Sequence, residues 1–255
     1  MDSSTPTPAI KWQPTLRVPH PSIKIILTEP RRTDNTTSIR WLNDPILYMV
    51  LMGPPYPYTQ ESFDGFFNEV LAPSAQLASE ELLEALIAKG RGETKWVGTH
   101  VPFPTIRGED PKTGEQKFLG QFDVRRRTYL KEMVGSQEEA TRLTEINNAR
   151  KAGDPETEYE VGFWVVPEYH GQGVMPAVLS TVIKEFFVPH MNVKHLYGSY
   201  LAYNKASSRV FEKCGFVFEG FAEDVIELPE NKRKEVPEEW KGKKIGVGEM
   251  KWVPN

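Results

Sequence analysis

Hydrophobic positions in the last hundred residues alternate between strand-like and helix-like spacing. Apolar side chains dominate EYEVGFWVV (158–166) and KHLYGSYLA (194–202), and polar or turn residues bound each run, which predicts two strands. The apolar run GVMPAVLSTVIKEFFV (173–188) between them predicts a helix that Pro189 ends, because proline cannot continue the hydrogen bonds of a helix. This order of strand, helix and strand indicates a sheet covered by helices.

The C-terminal end of the chain continues the same pattern. Residues 204–214 predict a second helix, with Asn204 as its cap and Gly215 just past its last turn, where left-handed geometry favours glycine. FVFEGF (216–221) and IGVGEMKWV (245–253) predict closing strands. The fold class predicted from these elements is mixed α/β, with strands and helices in one layered domain.

The pattern upstream predicts shorter elements. IKIIL (23–27) predicts a strand, and GPPYPYT (53–59) predicts an irregular loop. Three helices are predicted in this part of the chain, at residues 33–44, at about 60–70 and at 79–89. Asp44–Pro45 ends the first of them, and Ser79 is the predicted cap of the third.

A hairpin and a further helix fill the middle of the chain. KWVGTHVPF (95–103) and KFLGQFDVRR (117–126) predict two strands, and GEDPKTGEQ (108–116) predicts the connection between them. Ser136 and Glu139 fit a capping box, which predicts that an amphipathic helix begins at this point.

Composition limits the classes of protein that fit this chain. Of its 255 residues, 31 are Lys or Arg and 35 are Asp or Glu, so no overall basic field predicts a nucleic-acid partner. The longest apolar run, from Ile46 to Met52, is far shorter than the ~20 residues of a membrane span, so no membrane partner is expected. The single cysteine, Cys214, and the absence of a secretory pattern predict a cytoplasmic location, with the nucleus left open. The five histidines show no metal-site spacing, and no metal is predicted.

The N-terminal 22 residues differ from the rest in composition. Five prolines stand among small polar residues there, and such a segment cannot bury enough apolar surface to fold alone. The sequence therefore predicts a flexible tail over residues 1–22 and a single domain over 23–255.

The most informative stretch is a glycine turn between a predicted strand and a predicted helix. It reads His170-Gly171-Gln172-Gly173-Val174-Met175, followed by Pro176. Such a turn directs several free backbone N–H groups at one point beside the positive end of the helix dipole, where a phosphate can bind. Pro176 stands where a dinucleotide fingerprint places its third glycine, and no Gly-Lys-Ser/Thr of a P-loop follows. A turn without a ligand is the alternative.

Two motifs resemble those of the GNAT superfamily of acyl-CoA-dependent N-acetyltransferases. The turn resembles its pyrophosphate loop, R/Q-x-x-G-x-G/A, with His170 and Met175 in place of the usual first and last residues. A second motif begins 31 residues after Gly173, and NKASSRVFEKCGFVFEG (204–220) resembles the Rim-type branch, which acetylates the N-termini of ribosomal proteins. The resemblance covers roughly residues 23–253. It implies a mixed, mostly antiparallel sheet of about seven strands, splayed at the cofactor site and flanked by helices. It also marks segments near 131–157 and 227–244 as insertions.

The resemblance implies a cofactor and its binding residues. The cofactor is acetyl-CoA, whose pantetheine arm pairs with the exposed strand that carries Val165 and Val166. The same stretch is expected to supply an N–H group for the thioester oxygen. The implied cofactor-binding residues are Val165, Val166, His170, Gly171, Gln172, Gly173, Val174, Met175, Asn204 and Ser207.

The resemblance also implies residues that move protons. Phe211 occupies the position of the tyrosine that protonates the leaving thiolate in many members, and Ser207 matches the substitute acid of the Rim-type branch. Glu160 matches the glutamate base of some branches, with Glu158, Glu223, Asp224 and Glu227 as competitors. Helix capping is the alternative role for Asn204 and Ser207. Tyr197, Tyr200, Tyr203 and Trp164 either line an acceptor groove or simply belong to the core.

The function implied is transfer of an acetyl group from acetyl-CoA to a primary amine by direct attack in a ternary complex. The acceptor is a peptide N-terminus or a small-molecule amine. The alternative is a catalytically weak or inactive GNAT-fold protein that binds acyl-CoA, which the missing hydroxyl at Phe211 favours. The inserted segments are expected to shape the acceptor entrance or a contact in a homodimer.

Overall fold

The computed structural model describes residues 12–228, 230–235 and 238–254. A sheet of eight strands lies at its centre, in the order β1-β2-β3-β4-β5-β6-β8-β7. The strands are Leu16–Val18 (β1), Ile25–Thr28 (β2), Thr105–Glu109 (β3), Gln116–Arg126 (β4), Glu158–Val165 (β5), His195–Leu201 (β6), Phe216–Ile226 (β7) and Ile245–Trp252 (β8). All neighbouring strands are antiparallel except β5 and β6, which are parallel. The predicted mixed, mostly antiparallel sheet is confirmed, with eight strands instead of about seven.

Helices cover both faces of this sheet. They are Asn35–Leu42 (α1), Pro45–Tyr48 (α2), Gln60–Phe66 (α3), Ala72–Gly90 (α4), Lys131–Val134 (α5), Gln137–Ala149 (α6), Val174–Val182 (α7), Val188–Met191 (α8) and Lys205–Lys213 (α9). The π-helical stretches Phe67–Leu71 and Ile183–Phe187 join α3 to α4 and α7 to α8. Short 3-10 turns lie at Arg32–Asp34, Pro167–Tyr169, Glu230–Glu235 and Glu238–Trp240.

The sheet is open between β5 and β6, as predicted. These strands pair only from Glu158 with His195 to Glu160 with Tyr197. Beyond Glu160, β5 continues beside β4 as far as Val165, while β6 continues beside β8 as far as Leu201. The two strands therefore separate into a gap at the end of the sheet where the glycine turn begins.

Side-chain alternation gives the two faces of β5 different surroundings. Val161 and Val165 point into the main core, which they share with Val178 and Val182 of α7. Trp164 belongs to the opposite face and packs against a cluster on α1, α3 and the loop before α3. This second cluster comprises Leu42, Tyr58, Phe63, Phe67 and Leu71. The gap therefore opens between two separate helical layers.

A buried ion pair joins one of these layers to the sheet. Arg107 of β3 donates from Nη1 and Nη2 to the two carboxylate oxygens of Asp34, at 2.8 and 2.9 Å. Its Nε donates to Thr28 Oγ1 of β2 at 2.7 Å. Arg107 and Asp34 are only 2% and 3% exposed, so each depends on the other for neutralisation.

Two predicted elements differ from the structure in the middle of the chain. Residues 95–103 do not form a strand, although Val101 and Phe103 are buried. Pro102 and Pro104 have no N–H group to donate to a ladder, and β3 begins only after them. Ser79 is not a cap, because α4 runs without interruption from Ala72 and the Ser79 hydroxyl donates to the carbonyl of Ala75.

The predicted ends of two segments, one helix and the N-terminal tail, also differ from the structure. Pro189 does not end its helix, because it lies in the first turn of α8 after a π-helical stretch, and the chain stays helical to Met191. The predicted tail is shorter than 22 residues, since Leu16–Val18 pair with β2 and Val18 is buried in the main core. Residues 1–11 of that segment lie outside the described residues.

Candidate functional site

The glycine turn and the start of α7 present backbone donors to solvent. Gly171 and Gly173 have φ angles of 71° and 83°, a left-handed conformation that other residues adopt at a cost. Gly173 caps α7, and the first N–H groups of a helix have no partner within it. Pro176 follows in the first turn and has no N–H group. The N–H groups of Val174 and Met175 therefore meet those of the glycine turn at the positive end of the helix.

The side chain of His170 connects this turn to the end of β5 by a hydrogen bond. Its Nε2 lies 2.7 Å from the carbonyl oxygen of Val165, and since a carbonyl only accepts, Nε2 carries the proton and donates. The N–H of Val166 donates to the carbonyl of Leu119 in β4 at 2.8 Å. The imidazole of His170 thus holds the loop, and the N–H of Val166 is directed away from the gap.

A second histidine supports the turn from the N-terminal segment, and sequence analysis missed it. The Nδ1 of His20 accepts from the N–H groups of Ser22 and Ile23, so its Nε2 carries the proton. That Nε2 donates to the carbonyl of Gln172 at 2.9 Å. His20 is 152 positions away from Gln172 in the sequence, and no local pattern indicates this contact.

Backbone groups of β5 line the gap. The carbonyl of Glu158 accepts from the N–H of Arg127, just after β4, and the N–H of Val166 donates to Leu119 of β4, so the backbone groups of the even-numbered residues of β5 face β4. The alternation directs the N–H and C=O groups of Val161, Phe163 and Val165 toward β6, where pairing stops after Glu160. An extended chain placed in the gap would therefore find a strand edge with unpaired backbone groups, except for the carbonyl of Val165, which accepts from His170.

A cavity of about 530 Å³ passes through this gap and is lined from both faces of the sheet. On one side it is lined by Asn204, Ser207 and Phe211 of the α9 region. On the other side it is lined by residues from the α1 to α4 layer and its loop, including Phe66 and Val70. The volume is within the range of small-molecule sites.

Four polar side chains form a connected cluster in the cavity. Arg125 donates to Asp123 at 2.8 Å and lies 3.2 Å from Glu160, so one guanidinium bridges two carboxylates. Ser199 of β6 donates to Glu160 at 2.8 Å. Asp123, Arg125 and Ser199 were not singled out from the sequence, because strand pairing alone brings them beside the predicted Glu160.

The environment changes the proton affinity of two cavity residues. Burial raises the pKa of Asp123, and the charge of Arg125 opposes this effect. The Asp123 side chain is 52% exposed, because it lies at the wall of the cavity. Burial lowers the pKa of His100, with Glu81 and Asp123 opposing. The lowered pKa favours the neutral imidazole of His100, whose unprotonated ring nitrogen is a proton acceptor, as is the ionised carboxylate of Asp123.

Asn204 and Ser207 act together at the start of α9. Asn204 Oδ1 accepts from the N–H of Ser207 at 3.3 Å, which is the predicted cap. Asn204 Nδ2 donates to Ser207 Oγ at 2.9 Å, so the hydroxyl proton of Ser207 is left to point elsewhere. Phe211 is buried, and its ring lies 5.3 Å from that of Phe163.

Two of the four aromatic residues proposed for an acceptor groove line the cavity, and the other two do not. Trp164 and Tyr200 line the cavity. Tyr197 instead packs under Arg127, whose guanidinium carbon lies 3.9 Å from the ring centroid. The hydroxyl of Tyr203 donates to the carbonyl of Met49.

The two segments expected to be insertions also differ in position. No residue of 131–157 lines the cavity, and Asn147 of α6 instead donates to Arg127 and Glu158 at the far end of β4 and β5. In the segment 227–244, Asn231 and Lys232 donate to the carbonyls of Tyr56 and Pro54. This second segment therefore supports the proline-rich loop that lines the cavity.

Two further observations concern the described ranges only. No group of three or more His, Cys, Asp and Glu side chains there could hold a metal ion. None of their helices has both the length and the apolar character of a membrane span.

Comparison with known proteins agrees with this arrangement. A family model, Acetyltransferase (GNAT) domain, matches residues 136–217. The match begins inside the first segment that was expected to be an insertion. No curated protein matches the chain.

Three solved structures illustrate the likeness of fold. Mycobacterium smegmatis RimJ in complex with CoA-disulfide has a TM-score of 0.53 at 15% identity, over 94% of this chain and 87% of that chain. Spermidine N-acetyltransferase from Vibrio cholerae, in complex with CoA and spermine, has a TM-score of 0.53 at 14% identity, over 89% and 94%. RimL, a ribosomal L7/L12 alpha-N-protein acetyltransferase, has a TM-score of 0.50 at 13% identity, over 94% and 95%.

The expected resemblance is confirmed, and Rim-type enzymes are among the structural neighbours. The residues that match the family include the opened strand, the glycine turn and most of the Asn204 motif. Residues 136–217 thus match the GNAT acetyltransferase domain, and the chain as a whole shares the fold of these acetyltransferases.

Proposed function

We propose that this protein transfers an acetyl group from acetyl-CoA to a primary amine. The observation that carries the proposal is the cavity that passes through the gap between β5 and β6, with open backbone donors at its edge. Its shape suits a thioester that enters from the α9 side and an amine that enters from the α1 to α4 side.

The residues present fit acetyl-CoA. The N–H groups from Gly171 to Met175 would hold the diphosphate, with His170 keeping the turn in place from the inside. The edge of β5 at Val161, Phe163 and Val165 would pair with the pantetheine arm. Acetyl-CoA supplies the acetyl group as a thioester, whose oxygen would accept from an N–H of this edge.

The polar cluster supplies the proton acceptor. An ammonium group must lose a proton before its nitrogen attacks the thioester carbon, forming the C–N bond as the C–S bond breaks. The Asp123–Arg125–Glu160 cluster lies in the cavity and includes the predicted Glu160. Both oxygens of Glu160 already have partners, while burial raises the pKa of Asp123, so Asp123 is the stronger candidate for the base.

Ser207 is the candidate proton donor to the leaving sulfur. Its Oγ accepts from Asn204, which leaves its own proton available on the α9 side of the cavity. Phe211 has no hydroxyl and serves to fill the core beside Phe163. A thiol with a pKa of ~8.5 leaves as a thiolate with modest assistance, so one hydroxyl is sufficient.

The test compares coenzyme A with pantetheine, which lacks the whole nucleotide part, including the diphosphate. Coenzyme A should bind in calorimetry with micromolar affinity, and pantetheine, which lacks the diphosphate, should bind at least about a hundredfold more weakly, since each hydrogen bond to a charged group contributes about 1.5–3 kcal/mol. With acetyl-CoA and a panel of amines, free thiol should then be released. Equal binding of both ligands, or no binding of either, contradicts the proposal.

The second candidate is a GNAT-fold protein that binds acyl-CoA without turnover. The absence of a hydroxyl at Phe211 favours it. It predicts the same difference between coenzyme A and pantetheine but no thiol release with any amine. Turnover with one amine rules it out.

A further inference from the structure

The amine side of the cavity combines an apolar wall with a small charged floor. The floor is formed by Asp123, Arg125, Glu160 and His100. The wall includes Met52, Pro54, Pro55, Phe66, Val70 and Trp164. The side chains of Met52, Phe66 and Val70 are 43–48% exposed, so a ligand in the cavity has apolar surface to cover. Burial of such surface stabilises a complex in proportion to the apolar area removed from water.

The floor has a charge that suits one cation. Among the described residues that line the cavity, the ionisable acids and bases are Asp123, Glu160, Arg125 and His100, besides the phenols of Tyr58 and Tyr200. Arg125 is bonded to both carboxylates and neutralises one of them. Burial keeps His100 neutral. The net charge of the floor is therefore about one negative unit when both carboxylates are ionised.

A second cation on the acceptor would meet no further carboxylate among the described residues that line this cavity. Away from the floor, a further ammonium group would lie against the apolar wall, and an unpaired charge at an apolar surface is costly to desolvate. A hydrocarbon group in the same place would be favoured. The geometry thus favours amines that carry a hydrocarbon group beside the reacting nitrogen over amines that carry a second cation there.

Building on the proposed function, we propose that the acceptor is a primary amine with a single positive charge and a bulky apolar group next to it. Two sources share this chemistry, a free apolar monoamine and a peptide whose N-terminal residue has a large apolar side chain. A polyamine does not fit, although the neighbouring Vibrio cholerae enzyme was solved with spermine.

The first experiment measures kcat/KM with acetyl-CoA for a matched set of acceptors. The free amines are 2-phenylethylamine, ethylamine and spermidine, and the peptides are amides that begin with Phe or with Ser and are otherwise identical. We expect 2-phenylethylamine to exceed both other free amines at least about tenfold, or the Phe peptide to exceed the Ser peptide by the same factor. The arm with the larger value identifies the source.

The second experiment changes the wall and uses a control on the same helical segment. Val70 and Leu77 are 48% and 50% exposed, but only Val70 lines the cavity. Val70→Glu should lower kcat/KM for the preferred apolar acceptor at least about tenfold and raise it for spermidine, because the new carboxylate offers a partner to a second cation. Leu77→Glu should change both values less than twofold. Binding of coenzyme A to both variants shows that they are folded.

The outcomes separate this inference from the function on which it rests. Turnover with a preference for ethylamine, spermidine or the Ser peptide overturns the inference and leaves the acetyltransferase intact. An unchanged ratio of apolar amine to spermidine in Val70→Glu overturns it as well. Failure of coenzyme A to bind the wild type refutes the proposed function, and this inference with it.

Discussion

At the scale of single residues, Asp123 owes its position to the glycine on the neighbouring strand. Gly162 lies opposite Asp123, and a Cβ atom at this glycine would come within 2.7 Å of Asp123 Oδ1. Only glycine therefore lets the carboxylate lie close over β5. The bond to Arg125 uses Oδ2, so Oδ1 is not engaged by this guanidinium.

The first prediction concerns the role of this carboxylate. A base acts in its deprotonated form, so kcat/KM for the amine should rise with pH through the raised pKa of Asp123. Asp123→Asn should lower kcat/KM at least about a hundredfold and remove this rise. Asp110→Asn, in an exposed hairpin turn, should leave the profile unchanged. If Glu160→Gln rather than Asp123→Asn removes the rise, Glu160 is the base.

At the scale of elements, the N-terminal strand and α7 cooperate in holding the glycine turn. β1 pairs with β2 at the edge of the sheet, and the chain after β1 brings His20 to the carbonyl of Gln172. The two ring nitrogens of His20 have opposite roles, one accepting from backbone N–H groups and the other donating. The turn is thus fixed from the strand side by His170 and from the N-terminal side by His20.

The second prediction is that His20 positions the turn without contacting the amine. His20→Ala should raise the KM for acetyl-CoA about 3- to 10-fold, the equivalent of one hydrogen bond, and leave kcat and the KM for the amine within twofold. His20→Gln, which can donate and accept, should recover part of the loss. An unchanged KM for acetyl-CoA in His20→Ala, or equal values for both variants, counts against this role.

At the scale of the whole molecule, the sheet and the helical layer over the amine side are joined by the pair of Arg107 and Asp34. Asp34 also accepts from the backbone N–H of Arg31 at the turn before α1. Loss of Arg107 would leave the carboxylate buried without a cationic partner, and such a loss is far more costly than the loss of a surface pair. The position of one cavity wall relative to the strands therefore depends on this ion pair.

The third prediction follows from that burial. Arg107→Ala should lower the free energy of unfolding by about 3–5 kcal/mol, measured by urea denaturation. Arg17→Ala removes a pair with Glu109 in which Arg17 is 68% exposed, and it should cost less than about 1 kcal/mol. Similar losses in the two variants would show that the buried pair does not join the layers.

Elements whose signals are local could be predicted from the order of residues alone. The glycine turn needs left-handed residues at 171 and 173, and the caps at Ser136 and Asn204 bond to backbone groups three residues away. Hydrophobic periodicity and capping signals predicted strands that correspond to β4 to β8 and helices that correspond to α6, α7 and α9. The motifs at 170–175 and 204–220 were sufficient to indicate the family.

Which side chains contact one another depends on the packing of distant parts of the chain. Asp123, Arg125 and Ser199 join Glu160 through strand register, and His20 reaches Gln172 across the sheet edge, so no spacing along the chain indicates these contacts. The strand at 105–109 and the continuous α4 depended on competition between local preference and packing. Turns and helix caps depend on residues that are neighbours in the sequence, whereas a cavity is formed by residues that are brought together only by folding.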